Sequence, residues 1–122
     1  MDRSKIEEIF KRHIIDSNDE PWDANHLDKQ LSDNDAIIHW VSRYGTAEDL
    51  KTLIDAGASI NIQGDIGRTP LLESVAFNKE NNAKVLLAAG ADISAKDDYG
   101  DSVLDLVPDN NLSLKEVLQK NV

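Results

Sequence analysis

Apolar residues recur along this chain in short stripes at helical spacing, and the stripes themselves recur. Ile6, Ile9, Phe10 and Ile14 share one face, and Ser4-Lys5-Ile6-Glu7 opens it as a capping box, which predicts an N-terminal helix. Leu50, Leu53 and Ile54 form a second stripe, opened by Thr46-Ala47-Glu48-Asp49 and stopped at Gly57. Thr69-Pro70 predicts the start of a helix over Leu71 to Phe77. A threonine hydroxyl caps free N–H groups there, and proline at the first helical position has no N–H to leave unpaired. Asn78, which tolerates the left-handed conformation, ends that helix. A further helix is predicted over about Asn81 to Ala89, with Ala83, Leu86 and Leu87 on one face and Gly90 as its stop. Ser113-Leu114-Lys115-Glu116 reads as a last capping box, with Leu114, Val117 and Leu118 as its apolar face. Pro108 ends or kinks the helix before it, and a short helix is predicted over about Ala24 to Leu31.

The chain repeats itself at a spacing of 33 residues. Gly57-Ala58 returns as Gly90-Ala91, Gly67 as Gly100, Thr69 as Ser102 and Leu71 as Leu104. One step earlier, Ala36, Ile38 and Gly45 fall on the grid of Thr69, Leu71 and Asn78. No unit of this size buries its apolar stripe alone, so the units must stack. The segments GRTPLLESVA, LLAAGADISAKDDYGDS and LIDAGASINIQGDIGRT resemble the ankyrin-repeat family over roughly residues 34–120. That resemblance implies an all-α solenoid of about three helix–turn–helix repeats. It also implies long loops, at about Ile60–Arg68 and Ile93–Asp101, projecting as β-hairpin-like fingers. The repeats are expected at 34–66, 67–99 and 100–122, the last a degenerate C-terminal cap, with 1–33 as an N-terminal helical cap of the same single domain. The family's Thr-Pro-Leu-His motif stands as Thr69-Pro70-Leu71-Leu72 in the middle unit. It is Ala36-Ile37-Ile38-His39 in the first and Ser102-Val103-Leu104-Asp105 in the third. The resemblance gives His39 a structural role in hydrogen bonds to neighbouring backbone.

Charge narrows the partner. With 23 acids against 13 bases, the net charge of −10 repels nucleic acid and anionic lipid, and it serves either solubility alone or steering towards a basic protein. Cysteine is absent, which removes disulfide and thiolate chemistry. No apolar run is long enough to span a bilayer and no secretory signal opens the chain, so a cytoplasmic, non-membrane protein is expected. His13, His26 and His39 lack metal-ligand spacing, and Asp97-Asp98-Tyr99-Gly100-Asp101 lacks the ligand order of a calcium loop. Gly64-Asp65-Ile66-Gly67-Arg68 is no phosphate loop, and no catalytic motif is present. Neither enzymatic activity nor a cofactor nor a metal is expected. The acid-rich stretch Asp16–Asp35 reads as a solvated linker and helix surface, and Trp22 inside it is either a packing anchor for the cap or an exposed hot spot.

The resemblance also implies where partners bind: at the finger tips and on the concave face of each repeat's first helix. Those positions are Trp40, Arg43 and Tyr44; Asp65, Ile66 and Arg68; Glu73 and Phe77; and Asp98, Tyr99, Asp101 and Asp109. Four of the chain's six aromatic residues fall among them, and aromatics ringed by acids supply anchors and steering together. In size, charge and fold the chain is similar to small acidic bacterial ankyrin immunity proteins. That likeness implies a toxin inhibitor in bacterial competition, monomeric until it binds. It would neutralise a cognate basic toxin domain, such as a nuclease, by occluding its active site. The alternative is a general ankyrin adaptor or regulatory scaffold.

Overall fold

The computed structural model describes residues 3–13, 27–30 and 34–121. Among them lie seven α-helices and no strand: α1 (Arg3–His13), α2 (Ile37–Tyr44), α3 (Ala47–Asp55), α4 (Pro70–Ala76), α5 (Glu80–Ala88), α6 (Val103–Leu106) and α7 (Leu112–Lys120). α2–α3, α4–α5 and α6–α7 form three successive helix pairs, packed on one another through their first helices and, between the first two pairs, through α3 and α5 as well, with α1 packed on α2 and α3. The core runs through all of them as one cluster. It is built from Ile6, Ile9 and Phe10 of α1, Leu50 and Leu53 of α3, Leu71, Leu72 and Val75 of α4, Leu86 of α5, and Leu114 and Leu118 of α7.

The period of 33 governs hydrogen bonds as well as residue types. After α3, the Gly57 N–H donates to Ile54 O at 3.0 Å and the Ala58 N–H to Leu53 O at 3.0 Å. After α5, Gly90 donates to Leu87 and Ala91 to Leu86 in the same pattern, at 3.1 and 3.0 Å. This is a Schellman ending, and it needs the left-handed backbone that Gly57 (φ +102°) and Gly90 (φ +96°) adopt. The loops also stitch to one another one period on. The Ser59 N–H donates to Asp28 Oδ1 and the Asp92 N–H to Asn61 Oδ1, each at 2.8 Å. Inside, the Asn82 carboxamide of α5 donates to the terminal carbonyls of α2, with Ser42 O at 3.2 Å and Gly45 O at 3.1 Å. An amide here satisfies carbonyls that the end of a helix leaves orphaned.

Thr69 and Thr46 cap α4 and α3 as expected, accepting from the Leu72 and Asp49 N–H groups. α6 stops at Leu106, ahead of Pro108. Ser113 does not cap the last helix. Asn111 does, with Oδ1 accepting the Leu114 N–H at 3.0 Å, and the Ser113 hydroxyl donates to Glu80 at 2.9 Å. Ser4 lies within α1 rather than ahead of it. Leu27–Gln30 is turn and irregular backbone rather than helix; the remainder of the expected Ala24–Leu31 helix, together with Ile14, Trp22 and His26, lies outside the described residues.

The fingers are closed by turns, without β pairing. Gly64 N–H donates to Arg68 O at 2.8 Å, and one period later Asp97 N–H donates to Asp101 O at 3.1 Å. Ile66 has φ +51° and ψ +26°, followed by Gly67 at φ +72°, and the Arg68 N–H returns to Asp65 O at 3.2 Å. That is the geometry of a type I′ turn, which favours Asn-Gly. A β-branched residue held there stores about 1–3 kcal/mol of strain. The neighbouring finger over-determines it, because the Asp98 N–H donates to Ile66 O at 2.8 Å.

Candidate functional site

His39 anchors the first finger to α2. Its Nδ1 accepts the Ala36 N–H at 3.0 Å, so the ring hydrogen sits on Nε2 and is donated to Ile62 O at 2.9 Å. Asp105, two periods on, repeats only the capping half of this, its carboxylate accepting the Ser102 N–H at 2.9 Å. Asp35 Oδ1 accepts the Asp65 N–H at 2.8 Å, which ties the tip of the first finger to the start of α2. Gly64 lies so close to the Asp35 carboxylate and the His39 ring that a Cβ would run into both.

From Asp35 a chain of alternating charges crosses the repeats. Asp35 pairs with the Arg43 guanidinium. Arg43 Nε lies 2.7 Å from Glu73 Oε2, Arg68 Nη1 lies 3.6 Å from Glu73 Oε1, and Arg68 Nε lies 3.4 Å from Asp97 Oδ2. The Arg43–Glu73 contact is ionic rather than a directed hydrogen bond: the Arg43 Nε–H is aimed at His39 O (3.3 Å), and Glu73 Oε2 is buried without a donor. Asp97 Oδ1 in turn accepts the Tyr99 and Asp101 N–H groups, both at 2.9 Å, and so shapes the second finger.

Above Arg43 lies an aromatic cluster. Its guanidinium carbon is 5.0, 5.7 and 5.9 Å from the ring centroids of Trp40, Tyr44 and Phe77, within reach of cation–π attraction to all three. Tyr44 packs edge-on against Phe77 with centroids 5.6 Å apart, and Trp40 is tilted against Tyr44 at 5.8 Å.

The twelve residues expected on the binding face therefore divide. Tyr44 (54% exposed), Phe77 (40%) and Tyr99 (74%) present aromatic surface to solvent, and Asp65, Asp98 and Asp109 are exposed acids. Trp40, Ile66 and Asp101 are half-buried beside them. Arg43 and Arg68 are half-buried and spent on internal carboxylates, and Glu73, 4% exposed, is buried between them. The sequence alone gives no site role to Asp35 and Asp97, the two ends of the ionic chain, or to Asn82. Among the described residues no group of three or more His, Cys, Asp or Glu is placed to hold a metal, and no helix is long and apolar enough to cross a membrane.

Burial holds the His39 pKa below its ordinary value near 6.5, against the pull of nearby Asp35. Burial pushes the Glu73 carboxyl up, against Arg43 and Arg68. The two shifts have opposite consequences. As pH falls through 6.5 the unfolded chain protonates its histidine before the folded one does, so His39 lowers stability towards acid. Glu73 binds its proton more readily when folded, so its burial cost is relieved as pH falls through its raised pKa. Replacing His39 with Gln is expected to flatten the fall in unfolding free energy between about pH 7.5 and about pH 5.5, measured by urea titration. An unchanged slope would show that His39 is not the group responsible.

A family model described as ankyrin repeats (three copies) matches residues 3–97. An ADP-ribosylation factor GTPase-activating protein of Arabidopsis thaliana, AGD2, is 32% identical over 109 residues, covering 80% of this chain and 14% of its own length. The mitochondrial disaggregase of Bos taurus is 31% identical over 90 residues, 74% of this chain and 13% of its own. Protein phosphatase 1 regulatory subunit 12A of Mus musculus is 31% identical over 83 residues, 68% of this chain and 8% of its own. The chain thus spans a small fraction of each of these relatives.

Proposed function

Because the chain belongs to the ankyrin-repeat family, a family of protein-interaction modules, we propose that it binds a basic protein partner through the Tyr44–Phe77–Tyr99 side of the fold. One observation carries this reading. Three exposed aromatic residues lie on the expected binding positions beside exposed acids, while both arginines of that set are neutralised from within. What is left for a partner is aromatic anchor and negative charge, the combination that suits a basic surface with apolar side chains.

The narrower reading, an immunity protein that occludes a basic toxin domain, draws its support from the net charge of −10. The adaptor or regulatory reading draws support from the relatives, one of which is by name a phosphatase regulatory subunit. The two part on the partner's activity, which an inhibitor abolishes and an adaptor leaves intact.

The test begins with affinity capture, confirmed by titration of the purified pair. Tyr44→Ala and Phe77→Ala are each expected to weaken that binding by about thirty-fold, the size of an interfacial hot spot of about 2 kcal/mol. The association rate is expected to fall as salt rises. Wild-type affinity in both variants, or a partner with an acidic contact surface, would overturn the proposal.

A further inference from the structure

The ionic chain Asp35–Arg43–Glu73–Arg68–Asp97 starts at the residue that holds the tip of the first finger and ends at the residue that shapes the second. Its middle member has no surface to offer. Glu73 sits on α4 with 4% of its area exposed, and its two oxygens face two different arginines, one from each side. Arg43 also carries the ring cluster, lying within 6 Å of the centroids of Trp40, Tyr44 and Phe77. Arg68 closes the first finger through its own carbonyl, which accepts the Gly64 N–H at 2.8 Å. Charges buried to this degree persist only while paired, so displacing one member unbalances its neighbours.

We propose that Glu73 is a positioning residue: by holding Arg43 and Arg68 at once, it couples the two finger loops and the aromatic cluster into one pre-organised face. A partner that engages one finger then meets the other already in place, and the ordering cost of binding falls. The chain also accounts for the sign pattern of the site, since its three carboxylates consume both guanidiniums and leave the outer acids unopposed. The proposal rests on these loops being the partner face. Its test uses the free protein, so its failure is separate from a failure to find a basic partner.

Amide hydrogen exchange reads the coupling. The reporters are the Asp65 N–H, held by Asp35, and the Tyr99 and Asp101 N–H groups, held by Asp97. The reference is the Leu114 N–H, held by Asn111 at the far end of the fold. Glu73→Gln keeps the shape and removes the charge, and it is expected to speed exchange at all three reporters by about tenfold while the reference is unmoved. Uniform acceleration everywhere, or none, would overturn the role. Asp97→Asn provides a second route that leaves the middle of the chain intact. Its carboxamide oxygen still accepts from Tyr99 and Asp101, yet it no longer balances Arg68. The Asp65 amide, at the opposite end, is expected to exchange faster, and an unaltered rate there would refute the coupling.

Discussion

Leu72→Ala is expected to lower the unfolding free energy by about 2–5 kcal/mol, the cost of deleting a fully buried leucine and leaving part of the cavity unfilled. Leu72 is wholly inaccessible on α4, and α4 packs against α2 on one side, α6 on the other, and α5 within its own unit. In a short solenoid, stability is the sum of unit terms and interface terms, so a cavity in the middle unit weakens two interfaces together. Leu118→Ala in α7 makes a similar cavity at one end and is expected to loosen the last unit while the rest stays folded. Urea titration followed by circular dichroism distinguishes them: an earlier single transition for Leu72→Ala, and a separate early step for Leu118→Ala. A loss under about 1 kcal/mol for Leu72→Ala would mean that the site collapses around the smaller side chain.

The second large effect is expected at Asp35. Its carboxylate, 2% exposed, accepts the Asp65 amide and pairs with Arg43. Asp35→Ala leaves the finger amide without its acceptor and a largely buried guanidinium with one carboxylate fewer. The cost is expected to be about 3 kcal/mol, the lower end for breaking a buried pair, because Glu73 still faces Arg43. Asp35→Asn keeps an oxygen for the Asp65 amide and is expected to lose roughly half as much. Equal losses in the two variants would place the whole effect in the charge, and a small loss in both would mean that Glu73 alone balances Arg43. Denaturant titration at fixed pH measures both.

Much of this fold could be read from the chain because its determinants are local or periodic. A glycine that must take positive φ, a threonine one residue before a proline, and apolar positions three and four apart each act within a few residues. The period of 33 then multiplies the signal. What escaped reading is what joins side chains across units without following the period. Asp35, Arg43, Glu73, Arg68 and Asp97 belong to one ionic chain, yet Arg43 has Ala76 one period on and Glu73 has Trp40 one period back. Nothing in their spacing separates a buried pair from an exposed charge. Ser113 misled for a different reason: its local pattern suits a cap, but Glu80, one period earlier, takes its hydroxyl and Asn111 caps the helix instead. At Ile66 the local rule fails outright, since no preference of isoleucine leads to a left-handed turn, and the hydrogen bond from Asp98 in the next finger imposes it. The candidate positions are named from the chain alone, while their division into exposed and buried side chains needed the third dimension.

The two loop stitches, Asp28 to Ser59 and Asn61 to Asp92, join residues the same distance apart and begin 33 residues from each other. The repeat that holds both Ser59 and Asn61 therefore offers an acceptor forward and a backbone N–H backward, like the two ends of a tile. A duplicated stretch of residues 59–91 inserted after Ala91 would bring both halves of the joint with it, and the new loop would find a mate on either side. Lengthening such a chain by whole tiles requires no new joint to be invented, so growth by internal duplication is open to it in a way that it is closed to folds whose long-range bonds are each made once.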